Sequence, residues 1–321
     1  LTKYIYLDQN HWVNLAKTFA GKNDNYKEVA EKIIEKSESG EWIFPLSIIH
    51  FMETEARFDD RSRKELAKVM AGISRNYSIV PSIYTDVQEL NNAVASLHGI
   101  PTVNIRDEVI KKDFLRAAGL DGENFEIKGT KNPEETEIIK QELIKKMKTV
   151  PLFEIFMSIP QNRERIEKSI KDMNSPIEEY ELQRSHLMKM PQQYREKYFT
   201  ANTFIASHGE KLVELFRRFG VAKEDFIPEE VFASPESTME FLESTPSLDI
   251  RNKLTFDILT ETSREFHRND YKDICFLSTA VPYCDVVITE KLWAHYLTQR
   301  GIDKKYDTYI SKDLNDLLQM E

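Results

Sequence analysis

The chain is poor in cysteine, glycine and net positive charge, and each shortage closes off a class of function. Two cysteines in 321 residues, Cys275 and Cys284, make no disulfide framework, and no Cys/His cluster has zinc-ligand spacing. Both sit in apolar surroundings and are expected to be buried free thiols. There are 10 glycines and no glycine-rich phosphate loop, which removes nucleotide-dependent oxidoreductase and kinase readings. No apolar run reaches the roughly 18 residues of a membrane span, and no secretory leader is evident. The chain is therefore expected to be soluble and cytoplasmic, with no membrane partner. A net charge of −10 argues against a protein that only coats nucleic acid. An acidic nuclease is still allowed, because ligand carboxylates add negative charge of their own.

What is present is apolar and charged material in helical proportions. Apolar residues at 40% and aromatics at 11% are enough for a packed core, and 31% charged residues favour long helices over a β-sandwich. The apolar runs 4–7, 42–46, 77–80, 285–289 and 306–310 read as five strands. Between and beside them, 11–20, 25–37, 47–56, 61–73, 249–267, 270–281 and 291–300 read as helices, with Ser47 and Ser311 as caps. Strands alternating with helices imply an α/β fold with a mostly parallel sheet covered on both faces. From about residue 83 to 254 the pattern is helical, divided by Pro151, Pro160, Pro176 and Pro191; the clearest start is Asn132-Pro133-Glu134-Glu135. The sheet-forming domain is thus expected to comprise 1–90 and 255–321, interrupted by an all-helical insertion at 91–254.

Four acids stand out against this pattern. Asp8 closes the first strand and Glu290 follows the fourth, where α/β proteins hold ligands in the crevice beyond the strand ends. Glu53 and Asp273 lie inside apolar helical segments. Converging carboxylates repel unless a cation sits between them, so the set points to Mg²⁺ or Mn²⁺ and to phosphate chemistry. Each acid also has a structural explanation: a turn for Asp8, helix N-terminal charge for Asp273 and Glu290, and a solvated face for Glu53. Asp285 competes with Glu290 as a ligand, and Glu55 with Glu53. Asp270 is either an accessory ligand or the cap of its helix. Asn10 and Thr289 are placed to orient carboxylates or a metal water. The histidines form no site and are expected to be structural.

The segments Leu7-Asp8-Gln9-Asn10, Ser47-Ile48-Ile49-His50-Phe51-Met52-Glu53, Asp273-Ile274-Cys275-Phe276-Leu277-Ser278-Thr279-Ala280 and Asp285-Val286-Val287-Ile288-Thr289-Glu290 occur in an order that resembles the four motifs of PIN-domain nucleases. The resemblance implies a PIN-like three-layer fold. It also implies a hydrolase, most simply an endoribonuclease, in which Asp8, Glu53, Asp273 and Glu290 hold Mg²⁺ or Mn²⁺ and metal-activated water attacks the phosphodiester. Two departures stand out: the last acid is Glu290 where Asp is more familiar, and the gap between Glu53 and Asp273 is long.

The insertion carries Arg184, Lys189, Arg195 and Lys197 interleaved with Tyr194 and Tyr198, a pattern suited to contacting single-stranded RNA. A solvated helix face is the plainer explanation of the same residues. The insertion is alternatively a docking surface for a regulatory or inhibitor protein. A catalytically inactive PIN-like scaffold that binds RNA or protein is the competing reading of the whole chain. A haloacid-dehalogenase-type phosphatase is disfavoured, because the position two residues after Asp8 is Asn10.

Overall fold

The computed structural model describes residues 2–119, 132–147, 149–172, 175–219 and 229–321. The chain is mostly helical, with one four-stranded parallel sheet and one two-stranded antiparallel sheet among these residues. It packs into two compact units. The first comprises 1–81, 106–166 and 283–321, and the second 82–105 and 167–282.

The first unit holds every described strand. They are β1 (Lys3–Leu7), β2 (Trp42–Ile43), β3 (Ser78–Ile79), β4 (Ile110–Lys111), β5 (Val286–Ile288) and β6 (Tyr309–Ser311). The main sheet runs β2-β1-β5-β6 with every pair parallel, in register Lys3↔Trp42, Ile5↔Val286 and Val286↔Tyr309. Strand β5 is buried throughout and β1 over its last three residues, as expected of central parallel strands. Their side chains join Trp12, Leu15, Ile33, Phe44, Leu66, Met70 and Leu314 in one core.

Three expectations change. The 42–46 run does not stay one strand: Pro45 offers no N–H, and pairing with β1 ends at Ile43. Leu46 instead makes a single bridge to Ser78, and β3 turns away to pair antiparallel with β4. The expected 306–310 strand is shifted to Tyr309–Ser311, because Ile302–Tyr306 forms a short helix that ends at a left-handed Asp307. Ser311 is consequently a strand residue, and Asp313 caps the closing 3-10 helix Leu314–Gln319.

The domain boundaries also differ from the expected 1–90, 91–254 and 255–321. The helices Pro133–Met147 and Leu152–Ser158 belong to the first unit, with Leu152, Phe153 and Met157 in its core beside Leu66 and Met70. Helical periodicity shows which face of a segment is apolar but not which core receives it.

The second unit is helical. Its core joins Leu90 and Val94 of Ser82–Leu97, Phe204, Leu212 and Phe216 of Gln192–Arg218, Phe241 of Pro235–Glu243 and Leu248 of Pro246–Thr260. A smaller cluster packs Leu187, Phe199 and Leu259. The buried Glu89 carboxylate accepts the N–H and hydroxyl of Ser247 (2.8 and 2.7 Å), closing the first turn of Pro246–Thr260. No helix among the described residues is long and apolar enough to cross a membrane.

Candidate functional site

Because the four main strands are parallel, their carboxyl ends share one edge of the sheet. From β1 the chain proceeds to β2 on one side, and from β5 to β6 on the other. The strand order therefore reverses between β1 and β5, where departing helices diverge and leave a crevice. Asp8 follows β1 there, and Thr289 and Glu290 follow β5.

Each acid also begins a helix. Asp8 has extended backbone and caps Gln9–Phe19, and its N–H donates to the Ile288 carbonyl at 2.9 Å. Its Oδ1 accepts the Gln9 N–H (2.6 Å) and its Oδ2 the Thr289 hydroxyl (3.4 Å). Glu290 caps Lys291–Gln299, and its Oε1 accepts the Asn10 amide at 2.5 Å. Asn10 and Thr289 thus each hold one carboxylate, joining the ends of β1 and β5. Thr289 is buried, whereas Asn10 and Glu290 face solvent.

Glu53 reaches this edge on the helix Ile48–Glu55, which is tied to β1 by a histidine that the sequence reading treated only as structural background. The Ser47 N–H donates to His50 Nδ1 (3.0 Å), so the ring proton is on Nε2 and donates to the Leu7 carbonyl (2.9 Å). Burial holds His50 down at about 4, neutral. Gln9 makes a second tie, its amide donating to the Thr54 hydroxyl at 3.0 Å. The signal for His50 was present in the sequence: Ser-x-x-His at a helix start is a capping-box spacing with histidine in place of the usual acid. His11 is also buried. It bonds the Thr289 backbone, and burial lowers it.

Asp8 is raised to about 7. Burial is the main cause, then the charges of Glu290 and Glu53, against the Gln9 N–H and the Thr289 hydroxyl, which lower it. The charges acting on Asp8 are thus negative, and its neighbours offer oxygen donors. Carboxylate oxygens are the donors that a hard divalent cation such as Mg²⁺ or Mn²⁺ takes, and Asp8, Glu290 and Glu53 are the residues that could supply them. Among the described residues no three His, Cys, Asp or Glu side chains stand close enough to grip one ion directly.

Of the other expected site residues, Asp285 is at the other end of the sheet, Asp270 is engaged, and Asp273 belongs to the second unit. Asp285 lies at the opposite end of β5, beside Tyr4, where it accepts the Tyr4 N–H (2.7 Å) and pairs with Arg106 (2.6 Å). With Tyr4 four residues before Asp8 along β1, Asp285 does not join the crevice. Asp273 belongs to the second unit, half-buried on Arg268–Tyr283. Asp270, on the same helix, takes the His267 N–H (2.6 Å) and pairs with Arg264 (2.5 Å), so it acts as a cap.

In the second unit Arg184 is not an open phosphate contact. Its guanidinium donates to the carbonyls of Ile258, Leu259 and Arg264 (2.8–3.0 Å), satisfying orphan groups at the end of Pro246–Thr260. Arg195 donates to the carbonyls of Met188 and Met190, and Lys197 pairs with Glu236 at 2.6 Å. Lys189 remains exposed. Cys284 is buried as expected, while Cys275 is only partly so.

Comparison with known proteins finds no matching family model, no matching curated protein and no matching solved structure.

Proposed function

We propose that the first unit is a metal-dependent phosphodiesterase, a nuclease of PIN-like type acting most readily on RNA. One observation carries the reading: Asp8 is held at the β1/β5 switch point under the negative charges of Glu290 and Glu53. Helix capping accounts for one acid at a time, but not for their meeting at the crevice where α/β folds bind ligands. The substrate class and the PIN-like identity rest on the motif resemblance.

When bound, a divalent ion would supply Lewis acidity and an activated water. The chain's own residues do the rest. Asp8 and Glu290 would hold the ion, and Glu53 would orient water beside it. Thr289 fixes the Asp8 carboxylate by donating to its Oδ2, and Asn10 fixes that of Glu290 by donating to its Oε1. Exposed Glu290 and Asn10 lie at the open side, where a phosphodiester backbone can approach.

The test is cleavage of end-labelled single-stranded RNA and DNA with Mn²⁺, Mg²⁺ or EDTA, beside Asp8→Asn. Metal-dependent cleavage lost in the variant supports the reading. Absence of cleavage by a folded protein under every metal favours the second reading, a PIN-like scaffold without activity. The spacing of the acids, too wide for three to grip one ion, is the observation on that side.

A further inference from the structure

The second unit holds an open cavity of about 480 Å³ among its helices. Its walls come from Ser82–Leu97, Ser175–Lys189, Gln192–Arg218, Pro246–Thr260 and Arg268–Tyr283. The size is that of a small-molecule site, and the space between packed helices is a common place for one.

Of the three charged side chains in the wall, Asp86 and Arg251 are paired, and Glu179 stands exposed beside Gln183. Arg251 donates through both terminal nitrogens to the two oxygens of Asp86, each at 2.8 Å, so neither group is free to attract an ion. Burial holds His208 below its ordinary value and keeps it neutral. An anionic ligand would have to displace Asp86 from Arg251 and would also meet the Glu179 carboxylate, whereas the amine and amide edges of a neutral ring can donate to that carboxylate.

The rest of the wall has two textures. Tyr180, Phe199 and Tyr271 supply ring faces, and Tyr271 is 40% exposed. Thr203 and Ser207 supply hydroxyls, and Gln183 and Asn252 supply amide oxygens, their amide nitrogens donating to Glu179 and the Leu248 carbonyl. Acyl chains would leave those polar groups facing hydrocarbon, at a cost in unmade hydrogen bonds. A flat, neutral heterocycle suits both textures, with its faces on the rings and its edge on the amides and hydroxyls. We propose that this cavity binds a nucleobase, carried either by a free nucleoside or by an unpaired position of a single strand. The proposal stands whether or not the first unit cleaves phosphodiesters.

The experiment is calorimetric titration of the full chain with adenosine, guanosine, cytidine and uridine, beside Ser207→Trp and Tyr271→Ala. Ser207 is exposed on the middle of a long helix, so the Trp variant fills the cavity without touching the core. The expected result is millimolar or tighter binding of at least one nucleoside, weakened about tenfold or more by Ser207→Trp, with an unchanged melting curve. Cys275 lines the same cavity. In a Cys284→Ser background its alkylation should slow when that nucleoside is present, which locates the ligand independently of either cavity variant. Single strands with one abasic position separate the two sources: competition lost only when the base is missing identifies a strand, and no competition identifies the free nucleoside. Absence of binding by all four nucleosides overturns the proposal, as does binding that survives Ser207→Trp and leaves Cys275 unprotected.

Discussion

The imidazole of His50 donates from Nε2 to the carbonyl of Leu7 at 2.9 Å, the last residue of β1 before Asp8. Its other nitrogen accepts the N–H of Ser47, three residues before it, and Glu53 follows three residues after it. One buried ring thereby fixes the strand end bearing Asp8 against the helix bearing Glu53. His50→Ala should destabilise the protein by about 2–4 kcal/mol, from a cavity plus two unpaired backbone groups. Urea melts measure this. If cleavage is present, kcat should fall in the surviving folded fraction more than KM rises.

Asp8→Asn should remove metal-dependent cleavage while stabilising the metal-free protein at neutral pH and above. The sign follows from the folded state holding its Asp8 proton up to about 7, against 3.8 for an ordinary aspartate. Between those values the native state binds more protons than the unfolded chain, so this contribution falls as pH rises and is fully lost above about pH 7. The loss is on the order of a few kcal/mol. Urea midpoints at pH 5 and pH 8 for both proteins check it; an Asn variant no more stable than its parent at pH 8 would contradict the buried, crowded carboxylate.

His50 works in the opposite direction over much of the same range. Held at about 4 against 6.5 for ordinary histidine, it stays neutral while the unfolded chain takes up a proton. Its contribution is complete above pH 6.5 and is lost as pH falls towards 4. The parent should therefore show a shallow stability profile between pH 4 and 6.5, where the two effects oppose. Asp8→Asn should expose the His50 limb as a steeper loss on acidification. Melting temperatures taken every half pH unit resolve the two.

Mn²⁺ should raise the melting temperature more at pH 8 than at pH 5, because the ion competes with the proton on Asp8. Thr289→Val and Asn10→Ala should each weaken that shift while leaving the metal-free melting temperature nearly unchanged for the exposed Asn10. Equal stabilisation by Mn²⁺ in parent and Asp8→Asn would place the ion elsewhere.

Arg184→Ala should lower the stability of the second unit by about 1–3 kcal/mol, since three carbonyls lose their donor. Amide exchange near 255–264 should quicken. Affinity for single-stranded RNA should change no more than it does on replacing Lys189, which is exposed. A large and selective loss of RNA binding in Arg184→Ala, with unchanged exchange, would reverse this assignment.

Much of the first unit was legible locally. The apolar runs ending at Leu7 and Ile288, each followed by an acid and a helix, are recorded in residue order alone, because strands buried on both faces demand unbroken apolar segments. Ser47 marks the start of its helix through capping chemistry that acts over a few residues, whereas Ser311, expected as a cap, lies in β6 and Asp313 takes that role. The departure of β3 to a separate pairing was less visible, since the missing N–H of Pro45 ends a ladder without saying where the next residues pair. The equivalence of Asp285 and Glu290 as candidates was broken only by strand register, which sets Asp285 opposite Tyr4 and far along β1 from Asp8.

Residue order by itself determined the helices, the buried strands and the presence of acids at their ends, because those depend on side-chain period and on neighbours a few bonds away. Tertiary structure alone decided that Phe153 and Met157 join the core of Leu66 and Met70, that His50 reaches back to Leu7, and that Arg184 caps a helix rather than facing solvent. These are contacts between residues tens to more than eighty positions apart. A periodic pattern states that a face is apolar or a donor is available, but the partner is chosen by the packing of the whole chain.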